Sequence, residues 1–336
     1  NDTVIVDVLN AYCMNMYWKH TPTQFNPVFS GADTTSLYIY GSLELNDSMD
    51  YEYRGLIYFD EIEMDPPNVV DTIYSRGNIF LNDIRFQGQN DVVVQGDNME
   101  LLVDPSPPAG PPSFSTIFLE HGEFRVDGYE LKTGGLYSIF KNPRTLNIEN
   151  SRVTLQYDYD RAWWIDADNL EFHAEQSWIF NESFLGTMFT ENGDFLKFHN
   201  VFLFGPLDSL YNTNNQVEYN VVGIYNEAGL VSGNFIADSV IMRGKNAGMF
   251  KTSTTNVVII DSIYGSINNN HTINRCIVNN FGFIRGTNDF QYCVFYDDGV
   301  FMGANEFDTL MLYPGAGNFE NQGNWFYFEG NSTQVV

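Results

Sequence analysis

Basic residues are scarce in this chain. Sixteen Lys and Arg stand against 43 Asp and Glu over 336 residues, a formal charge of −27. Phosphate binding draws its affinity from Lys and Arg, so the balance argues against nucleic acid as a partner, and against anionic membranes for the same reason. Three cysteines make no disulfide framework and have no zinc-ligand spacing. No apolar run approaches the roughly 20 residues a membrane span needs, so membrane insertion is not expected. No window sustains the 3.6-residue period of an amphipathic helix. The chain opens at Asn1-Asp2-Thr3 without an initiator Met or a leader, and reads as a mature segment or a piece of something longer.

What the chain does have is aromatic and turn-forming residues: 28 Phe, 20 Tyr and 28 Gly. Aromatic and β-branched side chains fit a pleated surface, while Gly, Asn and Asp populate tight corners. At this length roughly three-quarters of the unfolded surface is buried on folding, so a sizeable core is expected.

The patterning is periodic. Gly248, Gly265, Gly282 and Gly299 recur at a fixed interval of 17. The same offset also aligns Phe250, Ile267, Ile284 and Phe301, then Ile273, Phe290 and Phe307, then Cys276, Cys293 and Leu310. Fixed-period self-similarity marks a structural unit that stacks on its neighbour. The unit is strand-like, with short apolar runs such as Val257-Val258-Ile259-Ile260 and Cys276-Ile277-Val278 bounded by Gly and Asn. An extended segment of that length covers roughly 55 Å, enough for one turn of a narrow coil. The expected fold is all-β: a parallel β-helix, or solenoid, with an N-terminal cap.

Residues 231–244, 250–265, 267–282, 284–299 and 302–317 read as successive coils. Upstream the spacing lengthens to about 25, through runs beginning at Leu146, Leu170 and Leu196. Residues 208–222 read as an insertion, which a solenoid tolerates in its corners. The Pro-rich stretch 104–112 cannot be an interior strand, because Pro lacks the ladder donor. Residues 1–60 are expected to cap an otherwise open pairing edge, and residues 61–336 to form the coils. One continuous domain is the alternative.

Both ends resemble one known family. The opening runs are Asn10-Ala11-Tyr12-Cys13 with Met16-Tyr17-Trp18, Asn26-Pro27-Val28-Phe29-Ser30-Gly31, Leu37-Tyr38-Ile39-Tyr40-Gly41-Ser42-Leu43, Asp71-Thr72-Ile73-Tyr74-Ser75-Arg76-Gly77 and Ile84-Arg85-Phe86-Gln87-Gly88. The closing run is Asn305-Glu306-Phe307-Asp308-Thr309-Leu310-Met311-Leu312-Tyr313-Pro314-Gly315. They are similar to very large multi-repeat surface proteins of the Bacteroidetes, which often end in a gliding-associated or type IX secretion sorting domain. The resemblance implies a secreted, extracellular, right-handed β-helix module of the cell surface, adhesive in role. The matching positions are turns and core, so no catalytic residue carries over. No sorting domain falls within the sequence, and surface attachment is implied by the resemblance alone.

Four acidic residues, Asp158, Asp160, Asp166 and Asp168, flank Arg161 and Trp163-Trp164. No cofactor is expected of the chain; these four are candidate ligands should calcium bind. A solvated corner and a carboxylate pair for glycosidic hydrolysis are the alternatives. Neighbours on a strand face opposite ways, so one of Trp163 and Trp164 points outward as a candidate sugar platform; Trp178 and Trp325 are further aromatic candidates. His173 and His199 each follow a Phe, and are expected to stack on adjacent coils as a side-chain ladder, with a proton-transfer pair the alternative; Lys197 is the one candidate base for a lyase. Cys276 and Cys293 should lie about 4.8 Å apart as buried thiols, a geometry that also admits a rung-to-rung disulfide.

Asp followed by Ser or Thr recurs, placing hydroxyls at Thr3, Thr34, Ser48, Thr72, Ser209, Ser239, Ser262 and Thr309. The pattern is similar to the O-glycosylation acceptor of Bacteroidetes exported proteins; a plain Asp-Ser corner is the alternative. These readings point to a non-enzymatic adhesin or filament-forming module. Its expected partners are surface glycans, cell-surface proteins, neighbouring modules or further copies of itself. A polysaccharide lyase or glycosidase on the same fold is the second reading.

Overall fold

The computed structural model describes residues 3–18, 26–61, 70–101, 103–104, 113–156, 161–183, 185–193, 195–213, 216–313 and 326–329. These residues contain β-strands and no helix. The chain divides into two compact units, Asn1–Ile179 and Phe180–Val336. Each is a parallel β-solenoid.

In the first unit a coil carries three short strands. One face stacks Asn10–Cys13, Ser36–Ile39, Leu56–Phe59, Ile84–Phe86, Thr116–Leu119, Gly135–Ser138 and Arg161–Asp166 in that order, all in parallel. The next face stacks strands from Met16–Tyr17 to Leu170–His173. Period-two alternation does the sorting. Leu37, Ile57, Ile84, Ile117, Leu136 and Trp163 pile up inward and buried. Their chain neighbours Tyr38, Tyr58, Arg85, Phe118, Tyr137 and Trp164 pile up outward on the same strands. Each inward side chain of this size contributes about 1.5–3 kcal/mol through burial.

Residues 1–60 are not confirmed as a distinct cap. Thr3–Val6 pairs in parallel with Val28–Gly31, and that strand with Asp50–Tyr53, so the described strands here wind as coils. Of the stretch 104–112 only Asp104 is described. Val103–Asp104 and Ser113–Phe114 pair antiparallel on either side of it.

In the second unit a coil carries two strands, one of them long: Leu196–Leu203, Val217–Ile224, Phe235–Met242, Thr252–Ile260, Asn270–Val278 and Asp289–Phe295. The step shortens accordingly. In the first unit Gly122 lies opposite Arg144, whereas in the second Gly265, Gly282 and Gly299 lie opposite one another at the shorter interval of their repeat. Ile273, Phe290 and Phe307 share a column, as do Cys276, Cys293 and Leu310. Cys276 and Cys293 are free, buried thiols on adjacent rungs, and burial followed by the Cys276 neighbour pushes the Cys293 thiol up.

The period expected from Gly248 and Phe250 fails by one residue. Gly248 pairs with Ser266, and buried Met249, not Phe250, stands over Ile267. That coil is longer than its successors by a single position, and on a strand a one-residue slip exchanges the two faces. The expected insertion at 208–222 is an ordinary coil, whose strand Ser209–Thr213 pairs with Leu230–Ser232 and Val217–Ile224 with Phe235–Met242. Leu146 lies opposite Phe172, while Leu196 sits on a long strand opposite Val217, so the three runs do not form one column.

Candidate functional site

Each long strand of the second unit loses its alternation once. In Phe235–Met242 the buried inward residues are Phe235, Ala237, Val240 and Met242. Asp238 and Ser239 therefore both turn outward. The same break occurs at Asn256-Val257 and Asn274-Arg275. Along this break a groove of about 570 Å³ crosses five successive coils. Lys197 and His199 lie at one end; Glu218 and Asn220, Ile236 and Asp238, Thr254 and Asn256, and finally Asn274 follow rung by rung over buried Tyr219 and Ala237. Its volume falls within the range of small-molecule sites.

Hydrogen bonds link these rungs along the solenoid. Asn274 Nδ2 donates to Asn256 Oδ1 at 3.2 Å, and Asn256 Nδ2 donates to Asp238 Oδ1 at 3.0 Å. Ser239 Oγ donates to Asp238 Oδ2 at 3.3 Å. Lys197 Nζ lies 3.1 Å from Glu218 Oε1. Asn220 Nδ2 donates to Asn200 Oδ1 at 3.2 Å, and Asn200 Nδ2 contacts His199 Nδ1 at 2.8 Å. The result is an open amide ladder with two carboxylates already engaged by neighbours. Such a surface can hold an extended polar ligand across many rungs.

The sequence reading named His199 and Lys197 here, and Ser239 as an acceptor hydroxyl, and missed the rest. Asn220, Asp238, Asn256 and Asn274 recur at an interval of 18, one longer than the repeat that dominates the next coils. Offsetting the chain by that interval finds them. His199 has no ladder partner in His173: one lies on a long strand of the second unit, the other on the short strand Leu170–His173, beside Glu171 at 3.0 Å.

The acidic cluster is half visible. Asp158 and Asp160 lie outside the described residues. Buried Asp166 and half-buried Asp168 receive Lys141 Nζ at 2.7 and 2.9 Å. The hydrogen bond to Asp166, then that to Asp168, raises the Lys141 pKa. Among the described residues no group of three or more His, Cys, Asp or Glu is arranged to hold a metal ion.

Trp163 is no sugar platform. It is fully buried in the inward column above, because its place in the alternation points it at the core. Trp164 points outward, with the Arg161 guanidinium 3.7 Å above its ring and the Tyr137 ring edge-on at 6.1 Å. Trp178 is exposed, and Trp325 lies outside the described residues.

The hydroxyls divide by burial. Thr3, Thr34 and Ser48 are exposed, and Thr72, Ser239 and Thr309 half-buried. Ser209 and Ser262 are buried and closed to a modifying enzyme in the folded chain.

Comparison with protein-family models, with curated proteins and with solved structures finds no match to this chain.

Proposed function

We propose that the chain is a non-enzymatic, secreted module of a cell surface that attaches to glycans along its coils. The observation that carries the reading is the groove of the second unit, which crosses five coils and carries the hydrogen-bonded line Asn274–Asn256–Asp238 over three of them. Many equivalent shallow contacts suit multivalent attachment. Glu218 is held by Lys197, and Asp238 by Asn256 and Ser239. Both carboxylates thus have stabilising partners, which supports binding over two-carboxylate hydrolysis. The extracellular setting and type IX export rest on the resemblance at the chain's two ends. Exposed Thr3, Thr34 and Ser48 are the acceptors favoured for O-glycosylation there.

A carbohydrate-active enzyme on the same scaffold is the competing reading, favoured by His199 lying in the groove beside Lys197 and Glu218. Incubation with neutral and acidic polysaccharides separates the two. Retention of the protein by a polysaccharide without new reducing ends or unsaturated products is the expected result. Robust turnover overturns the proposal. Intact-mass measurement on material from the native host tests the acceptors: added hexose is expected, and its absence removes that part of the reading.

A further inference from the structure

We propose that the groove takes a neutral, hydroxyl-rich glycan chain, one without uronate, sulfate or phosphate groups. This rests on the attachment reading above and specifies its ligand.

Hydrogen-bond capacity comes first. A primary amide has two N–H donors and two carbonyl lone pairs. Asn256 directs one N–H to Asp238 and one lone pair to Asn274. One donor and one acceptor remain on that exposed rung. Asn274 keeps a second N–H and its carbonyl oxygen, also exposed. The outward surface therefore alternates donors and acceptors at neighbouring points. A sugar hydroxyl both donates and accepts, so it satisfies either. A carboxylate or sulfate only accepts, and would set its lone pairs against the amide oxygens.

Electrostatics point the same way. Glu218 and Asp238 lie within the groove, and Lys197, its single lysine among the described residues, is committed to Glu218 at 3.1 Å. An anionic polymer would approach two carboxylates with no uncommitted lysine to meet it, on a chain of formal charge −27.

Shape selects a polymer. Five rungs at strand spacing extend about 19 Å along the solenoid, longer than a single sugar ring. Ile236 and Thr254, paired on adjacent strands two positions before Asp238 and Asn256, offer apolar points beside the polar ladder for the C–H faces of the rings.

The test is affinity electrophoresis and calorimetry with four sets of polymers: neutral glucans, mannans and galactans; alginate and polygalacturonate; dextran sulfate; and chitosan. Saturable binding of at least one neutral polymer is expected, little changed by added salt. Asn256→Leu combined with Asn274→Leu should weaken it by at least about tenfold. Thr254→Trp, from an exposed position, should block the groove in a chain whose melting temperature matches wild type, so the result does not depend on the double variant folding. Tighter binding of an anionic or cationic polymer, or undiminished binding by the folded groove variants, overturns the ligand assignment while attachment stands. A wild-type chain that binds none of the polymers overturns both.

Discussion

Asn288 Nδ2 donates to Asn305 Oδ1 across 2.8 Å, joining the same corner of two successive coils. Both are buried, and Asn288 Oδ1 in turn accepts the His271 backbone N–H at 3.1 Å. His271 continues the line to Ser253 Oγ at 2.6 Å. A polar stack therefore runs inside the corner, each group satisfied by the coil next to it.

Replacing Asn288 with Ala orphans the His271 N–H and removes the donor to Asn305, both in buried surroundings. An unsatisfied buried group costs about 1–3 kcal/mol. Asn288→Ala should lower the unfolding free energy by that amount, read as a lower urea midpoint with an unchanged slope. An unaltered midpoint would mean that the stack does not support the coil.

The same stack carries a pH dependence. Burial, partly offset by the bonds its ring makes to the backbone, lowers the His271 pKa from 6.5 to about 4. Between these values the unfolded chain binds a proton that the folded chain does not. Stability is therefore full above about 6.5 and falls as the solution is acidified toward 4. At pH 5 this amounts to about 2 kcal/mol relative to pH 7.5, from about 1.4 kcal/mol per unit. Urea unfolding at the two pH values, for wild type and His271→Gln, isolates it. The difference between the two pH values should be smaller in the variant by about that amount.

Asn269, Gly286 and Gly303 share one corner with φ of 82, 103 and 93°. A Cβ at Gly286 would lie 2.7 Å from the Asn269 backbone. Gly286→Val therefore meets both strain and a clash with atoms that cannot swing away, and should cost more than about 2 kcal/mol. Gly128 also has a positive φ, 80°, but open space where its Cβ would go. Gly128→Ala should cost only about 1 kcal/mol. Equal losses in thermal melts would contradict the distinction.

Adjacent tryptophans should respond in opposite ways. Trp163→Ala empties a site in the core column and should cost about 3–5 kcal/mol. Trp164→Ala removes an outward ring with a cation–π partner and should cost about 1 kcal/mol. Chemical denaturation measures both. A larger loss at Trp164 would reverse the assignment of faces.

The core was legible wherever the step stayed constant. From Gly265 onward a single offset aligns the residues that the structure pairs, because coils of equal length keep the same side chains inward. Phe250 shows the limit. One extra residue in its coil leaves the glycine interval unchanged by coincidence, yet moves Met249 into the core column. Beyond Lys197 and His199, the groove was overlooked for another reason. Its residues come from five coils, and Asn220, Asp238, Thr254, Asn256 and Asn274 each stand alone as an ordinary polar residue in its own segment. Lys141 reaches Asp166 and Asp168 from the preceding coil, a pairing that nothing local announces.

What the amino-acid sequence determined by itself is that the chain coils. Alternating apolar residues, Gly and Asn corners and a recurring step leave parallel stacking as the way to bury so many aromatic rings. Tertiary structure decided which outward side chains meet, and therefore where a ligand can lie. Strand pairing is set by total coil length and by the single break of alternation in each long strand. Both are sums over a whole turn, so a site assembled one residue per coil exists only once every turn has closed.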